Sequence, residues 1–275
     1  MNRKESRTRP SVGSVPATYF DVQAYWGVTK HMGGRRATDE LIEMCGIDAD
    51  SLVLEVGCGV GVTTSFLAGR VGCRVAAVDR NLMMLSRAGD RARREGNDAR
   101  LMLVCAEAEH LPFREGVFDA VISESVTTFT RDRGETVANY SRVTAAGGRV
   151  GINEELWHEP PTESMLSYVG CVLEIPPGIP DADGWAGLLR DAGLTDVVAR
   201  PRRFRALSQF SDELGRYRPV EYLLSLGRFF ALVVTNRPFR RYLRTTMLRA
   251  MPRGLLDRLG YGLFSGVKGD DAAPR

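Results

Sequence analysis

Leu52-Val53-Leu54-Glu55-Val56-Gly57-Cys58-Gly59-Val60-Gly61 is the stretch on which the fold turns. A short apolar run ending in glycines is the pattern of a parallel strand buried on both faces. The glycines let the chain bend sharply and let a ligand approach the backbone where a Cβ would collide. Val62 to Gly69 then suits a crossover helix, and Val75-Ala76-Ala77-Val78-Asp79 suits a second strand. The unit is βαβ, with an acidic residue about 20 positions beyond the glycines, the placement used to grip ribose hydroxyls. Cys58, inside the bend, reads as a small filler.

The glycine spacing separates two kinds of nucleotide site. A dinucleotide fingerprint needs Gly-x-Gly-x-x-Gly or Ala. Here the glycines fall at 57, 59 and 61, and the last position of that fingerprint is Val62, whose branched side chain would crowd the helix against the strand.

The rhythm continues downstream. Arg35 to Gly46 precedes the first strand as a helix with Leu41, Ile42 and Cys45 on one face, and Gly46 stops it. Asn81 to Gly96 is predicted as a helix with Leu82, Leu85, Ser86 and Gly89 inward and Arg87, Asp90, Arg91, Arg93 and Arg94 toward solvent. Strands are expected at Leu101–Cys105, Phe118–Ser123, Arg149–Asn153 and Thr195–Ala199. Helices are expected at Val137–Thr144 and around Trp185, Leu188, Leu189 and Ala192, and a turn at Gly147-Gly148. This alternation implies an α/β fold with a Rossmann-like, doubly wound, mostly parallel sheet covered on both faces.

Residues 208–259 break the pattern. Their ten basic residues are all arginine, opposed only by Asp212, Glu213, Glu221 and Asp257. Apolar residues recur at helical spacing, Pro219, Pro238 and Pro252 punctuate them, and Tyr261–Lys268 follows as a closing strand. The segment is therefore expected to be a helical insertion before the last strand, with residues 19–275 one domain. Three uses for it stay open: a packed cap, a lid over an acidic or lipid-like substrate, or a peripheral membrane face.

Composition narrows the classes. Apolar residues make up 44% and charged residues 26%, inside the globular range. A net charge of +3 is too mild to argue for nucleic acid. Five cysteines, with no Cys-x-x-Cys pair, argue against a disulfide framework or structural zinc and for a reducing, cytoplasmic compartment. No run of about 18 apolar residues exists, so no transmembrane helix is expected. Residues 1–18 read as a flexible basic leader without an apolar signal core.

Several signals in order now carry a family resemblance: Glu55-x-Gly-x-Gly-x-Gly, Asp79, Leu111-Pro112-Phe113 before Phe118-Asp119, and Arg142-Val143 before Gly147-Gly148. Together with Tyr25-Trp26-Gly27, His31 and Gly33 ahead of the first strand, the chain resembles class I S-adenosylmethionine-dependent methyltransferases of the small-molecule type. It is similar especially to the ubiquinone/menaquinone C-methyltransferase-like and sterol/tocopherol-like groups. The resemblance covers about Tyr19 to Ala199 and implies S-adenosyl-L-methionine as cofactor. It implies that Gly57, Gly59 and Gly61 face the methionine moiety, with Glu55 anchoring its amino end. Asp79 would take the ribose hydroxyls, with Arg80 beside it. Glu107 and Ala108 would meet the adenine, although Glu107 stands where many relatives carry aspartate. Met83 or Leu82 would lie against the adenine ring or pack in the core. Ser123 and Glu124 would face the junction of donor and acceptor.

Methyl transfer needs a base only for an acceptor that must lose a proton. The candidates are His31, Glu124 and, after the fifth strand, Asn153, Glu154 and His158, the last flanked by Trp157 and the stiff Glu159-Pro160-Pro161. Ser123-Glu124-Ser125-Val126 stands where base methylases carry an Asn/Asp-Pro-Pro-aromatic turn, so a nucleic-acid substrate is not expected. The expected activity is methyl transfer to oxygen, nitrogen or carbon of a small, partly apolar acceptor. The alternatives are a nicotinamide-dependent oxidoreductase and a non-catalytic S-adenosylmethionine-binding protein.

Overall fold

The computed structural model describes residues 19–204, 217 and 219–269. The predicted leader, residues 1–18, and part of the predicted insertion lie outside the described residues.

Seven strands form one sheet in the order β3-β2-β1-β4-β5-β7-β6. They are β1 (Leu52–Val56), β2 (Arg74–Asp79), β3 (Leu101–Cys105), β4 (Phe118–Glu124), β5 (Thr144–Trp157), β6 (Leu194–Arg203) and β7 (Leu259–Lys268). β1 to β5 are parallel, and β7 runs antiparallel between β5 and β6. The order reverses between β1 and β4, the switch point where an open α/β sheet leaves a crevice beyond its strand ends.

Strand alternation divides the core into two layers. Leu54, Val56, Ala76, Val78, Val121 and Ile152 point to the face covered by α5 (Arg133–Val143) and α7 (Ala182–Asp191), where Tyr140, Trp185 and Leu189 are buried. Val53, Val75, Ala77, Ala120 and Ile122 point to the opposite face, packed by Leu41 of α2 (Gly34–Cys45) and Leu85 of α4 (Leu82–Glu95). The crossover α3 (Val62–Phe66) continues into a wider π-helical turn at Leu67–Val71.

The structure differs from the sequence reading at several places. Gly147-Gly148 is an irregularity inside a longer strand, because β5 pairs with β7 from Arg149 to Trp157. An unforeseen helix, α6 (Glu163–Val172), follows Pro160-Pro161, capped by the Thr162 hydroxyl. Leu82 is exposed, whereas Met84, Leu85, Ala88, Arg91 and Ala92 are buried. Two arginines of α4 are therefore not a solvated face. Arg91 bridges Glu95 and Glu221, and Arg87 donates to the carbonyls of Ala24 and Tyr25. Arg87 seats α1 (Tyr19–Trp26) and Arg91 seats α8 (Pro219–Thr235). Among the described residues before β7, α9 (Arg237–Tyr242), a π-helical turn (Leu243–Met247) and α10 (Leu255–Arg258) follow α8.

Candidate functional site

A cleft of about 1010 Å³, its open mouth included, lies over the carboxyl ends of β1 to β4. Gly57 and Gly59 form its floor with backbone φ of +75° and +54°, which side-chain-bearing residues rarely adopt. A Cβ at Gly57 would run into the Val126 side chain, and one at Gly59 would sit 2.8 Å from Thr29 Cγ2. Gly61 has another use. It caps α3, and a Cβ there would press 2.7 Å from Ala88 Cβ, so it sets the packing of α3 on α4 and is not on the cleft wall. Burial pushes the Cys58 thiol well up from its ordinary value, which removes the thiolate a nucleophile needs.

Asp79 ends β2 against this bend. One carboxylate oxygen accepts from the Gly59 amide at 2.9 Å and the other from the Asn81 amide at 2.8 Å. Burial raises its carboxyl from the ordinary value, and those two amides pull the other way. Glu55, on the α2/α3 side of β1 by alternation, is buried and accepts from the Thr64 hydroxyl at 2.5 Å. Arg80, Glu107 and Ala108 line the cleft, with the Arg80 guanidinium 5.6 Å from the centre of the Phe20 ring. Met83 does not line it; Met84 does. Asn81 caps α4 by accepting from the amides of Met83 and Met84, and the helix that follows presents Met84 to the interior.

Alternation also separates Ser123 from Glu124. Ser123 shares the face of Val121, is fully buried, and shares weak hydrogen bonds with the hydroxyls of Thr127 and Tyr140 outside the cleft. Glu124 shares the face of Ile122 and projects into the cleft. Its two oxygens accept from the hydroxyls of Thr38 and Thr63, each at 2.9 Å. His31 Nε2 lies 3.5 Å from the same carboxylate and 3.2 Å from Thr38 Oγ1. Its Nδ1 lies 3.1 Å from the Met32 carbonyl, which can only accept, so Nδ1 is the donor there and Nε2 is the nitrogen that faces Glu124.

The segment bearing His31 is strapped over the cleft from both ends. Tyr217 hydroxyl accepts from the Thr29 amide and donates to the Thr29 carbonyl, both at 2.8 Å. The Met32 amide donates to Ser125 Oγ, and Asn153 Nδ2 donates to the Met32 carbonyl at 2.7 Å. Ser125 holds φ +54°, a strained value for a residue with a side chain, at the point where β4 leaves the sheet.

The candidates after β5 are elsewhere. Asn153 is consumed in the strap. Glu154 is fully buried and takes the amides of Val126, Thr127 and Thr128, fixing the turn that carries Val126, Phe129 and Thr130 to the cleft. Burial, then the neighbouring Glu155, raises its carboxyl to about 7. His158 does not reach the cleft. Its Nε2 lies 3.0 Å from the Arg202 carbonyl, and its ring rests on Gly260 between β6 and β7.

Sequence reasoning missed Thr38 and Thr63, the two donors on Glu124. A threonine seven residues after His31 on a helix, and one at the first turn after the glycines, carry no signal until the carboxylate they serve is placed. Phe129 was equally silent, while Phe20 and Gln23 lie in the segment from Phe20 to Gly34 that the sequence suggested would fold over a site or clasp the core, without being singled out in it.

The pieces fit an adenosyl sulfonium ligand: a floor where any Cβ would collide, a buried carboxylate near the end of β1 and a half-buried one at the end of β2. Residues 54–152 match the methyltransferase domain family. The uncharacterized methyltransferase YodH of Bacillus subtilis is 31% identical over 186 residues, which cover 66% of this chain and 76% of that protein. The 27-O-demethylrifamycin SV methyltransferase of Amycolatopsis mediterranei is 27% identical over 243 residues, covering 78% and 88%. Among solved structures, the Haemonchus contortus phosphoethanolamine N-methyltransferase 2 in complex with S-adenosyl-L-methionine superposes with a TM-score of 0.66 at 20% identity, covering 92% of this chain and 58% of that one. This chain accordingly belongs to the class I, small-molecule family of S-adenosylmethionine-dependent methyltransferases.

Proposed function

We propose that this enzyme methylates a small, partly apolar acceptor at an oxygen, nitrogen or carbon that gives up a proton, and that the His31–Glu124 pair receives that proton. The observation that carries the reading is a buried carboxylate held by two threonine hydroxyls, with an imidazole 3.5 Å away, opening into the same cleft as Asp79. When bound, S-adenosylmethionine supplies a methyl carbon already activated by a sulfonium. Glu55 holds the amino end of the methionine, which lies close against the Cβ-free Gly57–Gly59 bend, Asp79 accepts from the ribose hydroxyls, and Glu107, Ala108 and Met84 flank the adenine. Phe20, Val126 and Phe129 offer the acceptor an apolar wall. Orientation alone can supply roughly 7–11 kcal/mol at its limit, so the chain's task is alignment and removal of the proton.

His31 Nε2 is the receiving atom. Glu124 stabilises the imidazolium that results, and Thr38 and Thr63 prevent the carboxylate from turning away. A general base of this kind contributes about 10²–10⁴-fold. The test is an acceptor screen reading S-adenosylhomocysteine, repeated with His31→Asn and Glu124→Gln. The expected result is a loss of turnover within that range, with cofactor affinity retained by calorimetry. Variants that turn over normally would exclude the pair as the base.

A further inference from the structure

We infer that the outer face of α8 and the arginine-rich segment after it form a docking surface for an anionic lipid bilayer. The inner side of α8 is accounted for: Leu232 and Ser225 are buried, Phe229 packs on Trp26 at 5.6 Å between rings, and Arg228 donates to the Trp26 carbonyl. The outer side is apolar and bare. Val234 is 76% exposed, Leu223 69%, Phe230 61%, and Val220 and Leu224 each 53%. Positions 220, 223, 224, 227, 230, 231 and 234 recur at helical spacing, and none of them is charged. A folded chain seldom leaves such a stripe to water unless something covers it.

Charge identifies the cover. From Tyr222 to Leu256 the chain has seven arginines and no aspartate or glutamate. Arg228 is turned inward, and Arg240 closes the end of α8 by donating to the carbonyls of Val233 and Val234. Arg237, Arg241, Arg244, Arg249 and Arg253 remain exposed, and none forms an ion pair with a described residue. Leu248 and Met251, also exposed, stand among them.

An exposed apolar helix face, followed along the chain by exposed arginines that pair with no described acid, matches the headgroup and acyl boundary of an anionic membrane. A second copy fits poorly, because the same face of a partner brings no carboxylate between Tyr222 and Leu256 to neutralise these arginines. No described helix is long and apolar enough to cross a membrane, so the contact is peripheral. α8 lies against α1, which supplies Phe20 and Gln23 to the cleft, so docking would bring the cleft wall within one helix of the bilayer.

The test is co-sedimentation of the full chain with vesicles of phosphatidylcholine alone or mixed with phosphatidylglycerol, across a salt series. Binding is expected with the mixed vesicles only, weakening as salt rises. Arg241→Gln with Arg244→Gln should lower the partition coefficient about 25-fold, at roughly fivefold per arginine. Leu223→Ser with Phe230→Ser should lower it by at least about tenfold at any salt. Circular dichroism and cofactor calorimetry, both expected unchanged, show that these surface variants fold. Equal binding to both vesicles, or to neither, overturns the inference. So does a dimer abolished by Leu223→Ser, which assigns the face to a second copy. Capture of polyglutamate while vesicles stay bare assigns it to an acidic protein and overturns it equally.

Discussion

Asp79→Asn separates the cofactor role of this carboxylate from its part in the fold. Each of its oxygens already holds one backbone amide, at 2.9 Å and 2.8 Å, and the remaining lone pairs face the cleft. Asparagine keeps one acceptor and replaces the other with an amide that turns hydrogens toward a donor. Hydrogen bonds to a charged group are worth roughly 1.5–3 kcal/mol, so losing the charge toward the ribose should weaken S-adenosylmethionine binding about 10- to 150-fold. Stability of the free protein should change less at pH 7. One backbone bond is lost, but so is a buried charge that burial already disfavours. The sign is checkable. A carboxyl raised on folding binds its proton more tightly in the native chain, so its contribution is favourable at low pH and is lost as pH rises from the ordinary value through the raised one. The variant should lack that decline. Titration calorimetry with S-adenosylmethionine measures the affinity, and thermal unfolding measures the rest. With the cofactor at about 100 times its dissociation constant, the parent gains roughly 2.7 kcal/mol and the variant should gain far less. An unchanged dissociation constant refutes the ribose assignment, and with it the orientation of the ligand in the cleft.

Gly57→Ala forces a side chain to φ +75° and drives its Cβ into Val126. The strain alone is about 1–3 kcal/mol. Combining it with Val126→Ala should recover the part due to collision and leave the backbone part, as a double-mutant cycle in unfolding free energy will show. Glu154→Gln should match the parent near pH 5, where the parent's carboxyl is itself protonated. It should gain on the parent by about 3 kcal/mol as pH rises past 7, because the raised carboxyl of the parent loses stability through that window. Denaturant unfolding at several pH values measures this, and parallel curves for the two proteins rule it out.

Much of this enzyme is written locally. Buried parallel strands show as short apolar runs, so β1 to β4 were legible to within a residue. The glycine bend and Asp79 were legible because both need a residue type that nothing else replaces: no Cβ in one place, a carboxylate at a strand end in the other. Glu124 and His31 were also nameable from their positions relative to the strands. Sequence alone could not separate Ser123 from Glu124 as the residue facing the cleft. That depends on which face Ile122 and Val121 take, and only packing against α2 and α3 decides it. Nor could it exclude His158, since its distance from the cleft arises from β5 running on to Trp157 to pair with β7. Thr38, Thr63 and Tyr217 are ordinary residues until the fold carries them to their partners. Tyr217 reaches Thr29 across 188 positions, a contact with no local signature. The strands and the bend follow from short-range chemistry; the acid, the imidazole and the strap above them come together only when distant segments are packed over the carboxyl ends of one sheet's strands.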